Sequence, residues 1–275
     1  MCIQNKIIAM FQFSSNTVNT NTQLSKLIKT FILAVLILFS TLSYAQKLEG
    51  TIHYVKTENI AKKMAALDYL SEQSIEEFTY TYAKIYGNGN ESKSYSTLYI
   101  NAAQTKYEDS EENDVEYSNQ NNEFTITRDF SKHTLHDIIE VLGRTYIIED
   151  SLKSPKWIIL NEMKEIAGHI CMNAFYDDTL KKQKVVAWYA LDIPIGGGPE
   201  RYFGLPGLML EVDINDGAFV ITADRINLKK LTTELDFPKK VKGRKIKEKD
   251  YIEILRKQIV ENRKQNHPLF KDLRY

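Results

Sequence analysis

From residue 48 onward, apolar and polar residues alternate along most of the chain, and a period of two predicts strands. The first strand is expected over 48–56, with Ile52, Tyr54 and the aliphatic part of Lys56 on one side. Ile60, Met64, Leu67 and Leu70 then recur at helical spacing, which predicts an amphipathic helix over 59–74 packed on the sheet. Phe78, Tyr80 and Tyr82 alternate with threonine and predict a strand over 78–86, closed by the hairpin signal Gly87-Asn-Gly-Asn. Further strands are expected over 92–100, 124–130, 144–150, 157–160, 169–176, 184–191, 208–214 and 218–226. Residues 134–142 read as a short helix or an irregular crossing. Turns are expected at 162–168, at Asp177-Asp178 and at Gly217. Ile252, Leu255 and Ile259 share one face of a C-terminal helix over 247–266, with a mobile end expected past His267. Successive strands joined by short turns predict a mainly β (α+β) fold. It should be a curved antiparallel sheet or partly open barrel with one or two packed helices.

One stretch breaks the alternation. Asp192 to Val212 holds three of the six prolines and five of the twelve glycines, between two apolar runs. It therefore reads as a shaped loop. Within it, Gly204-Leu205-Pro206-Gly207-Leu208 predicts a type II turn, with Pro206 presetting φ and Gly207 supplying the positive φ. Leu205, Leu208 and Leu210 bracket that turn and should pin it to a core.

These motifs carry a resemblance. Phe203-Gly-Leu-Pro-Gly-Leu-Met-Leu-Glu resembles the signature of the GLPGLI family, exported proteins of Bacteroidota. Upstream, Trp157-Ile-Ile-Leu, Lys164-Glu-Ile-Ala-Gly-His-Ile-Cys171, Ala187-Trp-Tyr-Ala and Asp192-Ile-Pro-Ile follow the family's order of motifs. The resemblance is strong over about 150–230 and loose elsewhere. Met209 stands where the family usually has Ile, Gly196-Gly197-Gly198 where Ser-Asp-Gly is usual, and Met172-Asn173-Ala174 follows the cysteine where Lys-Ala is usual. The resemblance implies an exported protein and little about activity, because the family's biochemical role is unassigned.

The amino-terminal region supports export independently. Lys26 and Lys29 precede the apolar run Phe31 to Phe39, and Ser43-Tyr-Ala45 offers the small residues of a cleavage site, with Gln46 as the mature start. The run is shorter than the roughly 20 residues that span a bilayer. Residues before Lys26 form a long polar stretch, so translation starts at Met10 or the leader is extended. The expected organisation is a leader over 1–45, a β-rich domain over 46–237 and a basic helix and tail over 238–275. The whole chain balances 36 basic against 36 acidic residues, which argues against nucleic-acid binding. Thirteen basic and five acidic residues follow Pro238, so the tail suits a membrane surface or an acidic partner. Cys171 is the only cysteine after the leader, and its apolar neighbours Ile170 and Met172 favour a small buried hydrophobe over a reactive thiol.

Candidate chemistry changes this picture little. The run Gly196–Gly198 lacks the Lys-Ser/Thr and following helix of a phosphate loop. Residues 108–116 lack the alternating acids and glycine of a calcium loop. His53, His133, His136, His169 and His267 supply no metal motif, so no metal or other cofactor is expected. No Gly-x-Ser-x-Gly elbow occurs, and no catalytic residues are assigned. The positive signal is aromatic: Trp188, Tyr189, Tyr202 and Phe203 gather around the loop with Leu205, Pro206 and Leu208. Those seven residues are the expected ligand site. They would line an apolar groove, or alternatively fill the core. The leading expectation is an exported non-catalytic binding or accessory protein of the cell envelope, holding an apolar ligand or a protein partner. By fold analogy alone this is similar to periplasmic lipid and lipoprotein carriers. An envelope hydrolase using Asp192, Glu200 or His169 is one alternative; a structural partner of an outer-membrane complex is another.

Overall fold

The computed structural model describes residues 48–86, 91–110 and 124–266. The expected leader, the expected hairpin turn at 87–90, most of the expected acidic loop and the end from His267 onward lie outside the described residues. The strands are β1 (Gly50–Asn59), β2 (Glu91–Ile100), β3 (Gln104–Asp109), β4 (Thr125–Asp129), β5 (Thr134–Val141), β6 (Arg144–Ser151), β7 (Ile158–Ile166), β8 (His169–Asp178), β9 (Gln183–Ala190), β10 (Leu208–Ile214), β11 (Phe219–Leu228) and β12 (Arg244–Ile246). The helices are α1 (Ile60–Ala65), α2 (Glu72–Tyr86) and α3 (Glu248–Lys264). All twelve strands form one sheet in the order β12-β6-β5-β4-β3-β2-β1-β11-β10-β9-β8-β7. Every pairing is antiparallel except β12 on β6, which is parallel. The fold is mainly β with packed helices, as the alternation predicts.

Connectivity forces the sheet to curve. β6 and β7 are consecutive in the chain yet ten strand positions apart in the sheet. Flat, that separation is about 48 Å at the usual strand spacing. The connection from Ser151 to Ile158 reaches only about 25 Å when fully extended. The sheet therefore rolls until its two ends approach, and residues 152–157 bridge the mouth.

The concave side holds the main core. Ile52, Tyr54, Leu98, Ile100, Tyr107, Val185, Ala187, Tyr189, Val212 and Ile221 are buried there, together with the loop residues Ile193, Ile195, Tyr202 and Leu205. A second cluster joins Leu135, Ile139, Val141, Tyr146 and Ile148 of β5 and β6 to Ile246, Tyr251 and Leu255. Thus α3 is sealed to the sheet by its apolar face. The Asp150 carboxylate accepts from the Glu248 backbone N–H at 3.2 Å, one of the donors a helix start leaves unsatisfied. No helix among the described residues is long and apolar enough to cross a membrane.

Four expectations need correction. The strand expected over 78–86 is the second half of α2. Its half-buried residues Ile75, Phe78, Thr79, Tyr82 and Ala83 follow helical spacing, which the Tyr/Thr alternation masks, and Ser71 Oγ accepts from Ser74 N at 3.1 Å to cap the helix. The helix expected over 59–74 stops at Ala65, because turns fill 66–70. Residues 134–141 are a strand, closed onto β6 by Leu142 and Gly143, both at positive φ as a two-residue hairpin requires. The turn expected at 162–168 is shorter. β7 bulges between Ile159 and Met163 while Asn173 bonds Glu162 through its backbone N–H and its carboxylate, and the chain turns only at Ala167-Gly168. Two strands, β3 and β12, have no counterpart in the alternation. In β3 the charged Lys106 is itself buried, its ammonium donating to the Glu234 carbonyl at 2.7 Å.

Candidate functional site

The loop between β9 and β10 folds inward as a plug. Its backbone is tied by Gly204 N to Gly196 O (2.7 Å), Leu208 N to Ile193 O (2.9 Å) and Met209 N to Gly197 O (3.0 Å). Tyr54, buried on β1 two strands away from β10 in the sheet, donates its hydroxyl to Met209 O at 2.7 Å. Trp157 Nε1 donates to Phe203 O at 2.9 Å, which anchors the bridging segment to the plug. The type II turn expectation is corrected here. Gly207 does not have a positive φ; Gly204 does, at 98°. Gly207 is required for another reason. A Cβ on it would stand 2.1 Å from the Ala190 carbonyl oxygen, so the backbones approach too closely for any side chain.

Beyond Pro199 the loop meets a buried charge network. Asp137 of β5 is fully buried. Its Oδ1 accepts from Arg128 Nη1 at 2.5 Å and Thr127 N at 3.2 Å, and its Oδ2 from Arg201 Nε at 3.0 Å. Arg201 then grips Glu248 of α3 through both terminal nitrogens, at 3.1 and 2.5 Å. Strand, plug and C-terminal helix are thereby joined by one chain of ion pairs. Burial works against ionisation of Asp137, but the two guanidiniums overcome it and hold its carboxyl below the usual range. Desolvation likewise opposes the charge of Arg201, and Asp137 and Glu248 reverse it, so its pKa is raised.

A cleft of about 370 Å³ opens over this network. Its walls include Arg128, Tyr176, Arg201, Tyr202, Phe203 and Tyr251, with Leu135, Leu180 and Leu255; Lys153, Ser154 and Asp177 stand with them. Arg128 lies over the Phe203 ring at 5.4 Å and Arg201 over Tyr251 at 4.7 Å. Tyr176 packs edge-on to Trp157 at 4.8 Å, and burial followed by the nearby Asp178 charge raises its phenol pKa, so the hydroxyl stays protonated. The volume lies within the range of small-molecule pockets, about 300–1,000 Å³.

The seven residues expected from sequence divide into four environments. Tyr202 and Phe203 line the cleft. Tyr189, Leu205 and Leu208 are buried in the main core, and Pro206 is exposed on the turn. Trp188 is half-buried beneath the Lys164 ammonium, 4.3 Å from the ring, and Lys164 bonds Glu211 at 2.5 Å. Of the residues weighed for hydrolysis, His169 Nδ1 and Asp192 pair at 2.7 Å, while Glu200 is buried within the plug. Cys171 is buried, its thiol donates to the His169 carbonyl at 3.6 Å, and burial with the Asp192 charge pushes its pKa up to about 11. Among the described residues no three His, Cys, Asp or Glu side chains gather as a metal site.

The alternation did not point to Arg128, Asp137, Tyr176, Glu248 or Tyr251. A signal was present for two of them. Asp137 shares one face of β5 with the apolar Leu135 and Ile139, and Arg128 shares the inward face of β4 with Ile126, so each asks for a buried partner of opposite charge.

A family model described as a protein of unknown function (Porph_ging) matches residues 176–211. The match begins at Tyr176 on the cleft wall, crosses β9 and the plug, and ends at Glu211 within β10. No curated protein matches the chain. Two solved structures of PNGF-II, in P21 and C2 crystal forms, are similar with a TM-score of 0.50 at 14% and 13% identity. Each similarity covers 76% of this chain and 33% or 32% of the other, so this chain spans about one third of PNGF-II. At that identity the likeness is one of fold, and the chain is similar over its short matched segment to a family of unknown function.

Proposed function

We propose that this chain is an exported, non-catalytic binding or accessory protein of the cell envelope, of the GLPGLI type, which holds a ligand in the cleft beside Tyr202 and Phe203. One observation carries the reading. The plug, the bridging segment and α3 together build a pocket with aromatic walls over a floor whose carboxylates are already held by arginines. Such a floor is rigid and aimed, which suits recognition. Export rests on the residue 26–45 pattern and on the GLPGLI-like motifs. The exposed Lys239, Lys240, Lys242, Arg244 and Lys245 suit an acidic partner or a membrane surface. A second reading, an envelope hydrolase, draws on the His169–Asp192 pair, in which a carboxylate orients an imidazole.

The test is native mass spectrometry of the protein purified gently from its own envelope fraction, beside Leu180→Trp, which fills the mouth of the cleft. A small-molecule adduct retained by the wild type and lost in the variant is the expected result. An adduct of equal occupancy in both places the ligand elsewhere. A bare protein that hydrolyses an ester or peptide panel and loses that activity in His169→Ala overturns the reading in favour of the enzyme.

A further inference from the structure

The unused half of one buried arginine carries a further inference. Arg128 is 3% exposed and lines the cleft. Its guanidinium makes hydrogen bonds through Nη1 alone, to Asp137 Oδ1 and to the Thr127 carbonyl at 2.8 Å. Nε is buried without a hydrogen-bond partner, and Nη2 makes no hydrogen bond with any described residue. A guanidinium carries five N–H donors in a fixed planar fork. The edge formed by Nε–H and Nη2–H is the one that grips a carboxylate with two parallel bonds. In Arg201 all three nitrogens are engaged, by Asp137 and Glu248. In Arg128 the corresponding edge makes no hydrogen bond with any described residue. Arg128 Cζ stands over the Phe203 ring, 5.4 Å from its centroid, so an aromatic surface lies beside the guanidinium. A buried N–H without an acceptor is costly, and natural folds rarely retain one without use.

We infer that the Arg128 Nε/Nη2 edge receives the carboxylate of a small ligand whose apolar or aromatic body lies against Phe203, Tyr202 and Tyr176. The inference rests on the cleft being a ligand site. Arg128 and Arg201 are matched by Asp137 and Glu248, so the floor is neutral before a ligand binds. Lys153 and Lys181 line the same cleft with Asp177 and Asp178, and the Lys153 ammonium, which makes no hydrogen bond among the described residues, is a further cation that an incoming carboxylate meets. The Tyr176 hydroxyl, kept protonated, also makes no hydrogen bond among the described residues and is a further donor on the wall. The volume suits a body of one aromatic ring or a medium alkyl chain. A free carboxylic acid and the C-terminus of a peptide present the same group.

The experiment titrates the full folded protein by calorimetry with 3-phenylpropionate and octanoate, each against its primary amide. A second arm uses acetyl-Ala-Ala-Phe with a free and with an amidated C-terminus. The carboxylates are expected to bind about 10- to 100-fold more tightly than the amides, the range for hydrogen bonds to a charged group. Which arm binds more tightly identifies the source. Arg128→Lys keeps a cation for Asp137 but removes the fork, and should abolish the preference. Should that variant fail to fold, the Arg128 Nε–H resonance of the wild type, assigned through its own bonds, replaces it: carboxylate must shift it and amide must not. Equal binding of acid and amide, with Leu180→Trp blocking both, overturns the carboxylate assignment and leaves the cleft reading standing. Absence of binding by every probe at millimolar concentration also overturns the assignment, and the native-mass result then decides the cleft reading separately.

Discussion

Replacing Asp137 by asparagine is the sharpest perturbation of this fold. The substitution keeps the shape and removes one charge at the point where β4, β5, the plug and α3 meet. Asp137 accepts three hydrogen bonds from Thr127, Arg128 and Arg201. An asparagine must turn its NH2 toward one of the arginines, setting donor against donor. Arg201 keeps Glu248, but Arg128 loses the one carboxylate it pairs with among the described residues and stays buried. Breaking one side of a buried pair costs about 3–5 kcal/mol, because the remaining charge is uncompensated. With a urea m-value of about 3 kcal/mol/M, that is a midpoint lowered by about 1–2 M. The pH dependence has a defined sign. The folded-state pKa of Asp137 is depressed below its unfolded value, so its contribution is fully present above about pH 4 and is lost as pH falls further. Urea unfolding followed by tryptophan fluorescence and far-UV circular dichroism between pH 2.5 and 7 measures both effects. The wild type should lose stability below about pH 4 more steeply than Asp137→Asn. Glu248→Gln, at a quarter-exposed carboxylate, should cost less than Asp137→Asn. A change under about 1 kcal/mol at pH 7 for Asp137→Asn, with parallel pH slopes, would refute the network as an organising element.

Two further outcomes follow from the plug and its surroundings. Gly207→Ala places a Cβ 2.1 Å from the Ala190 carbonyl, where only backbone movement relieves the clash, and should lower the melting temperature more than Gly204→Ala. Gly204→Ala meets the flexible Ser154 side chain and a positive φ, a strain of about 1–3 kcal/mol, and Ser154→Ala should recover part of that loss but not the loss at Gly207. Cys171 should resist an aromatic disulfide reagent at pH 8 in the folded protein and react at once in urea, because its thiol is buried and its pKa pushed up to about 11. Fast labelling without denaturant would mean that the β8 end opens readily.

The period-two alternation determined most of the sheet, because strands half-facing a core write their inward residues at every second position. That holds for Ile52 and Tyr54 in β1 and for Val185, Ala187 and Tyr189 in β9. The density of glycine and proline likewise determined that 192–212 is a shaped loop. Where the period was ambiguous, the sequence was not enough. The short Tyr/Thr run in α2 satisfies both periods, and its place in the chain was decided by the Ser71 cap and the helical face that packs near α1. Residues 134–141 became a strand because β4 and β6 offered hydrogen bonds on both sides. The sequence pointed to Tyr202 and Phe203 on the cleft wall, but the charged floor belongs to tertiary structure. Arg128, Asp137, Arg201 and Glu248 are spread over 121 positions of sequence, 128–248, and no local pattern couples them. They meet because the β6–β7 connection is too short for a flat sheet. The roll it imposes brings the plug against β4, β5 and α3, where charges stripped of water are stable only beside one another.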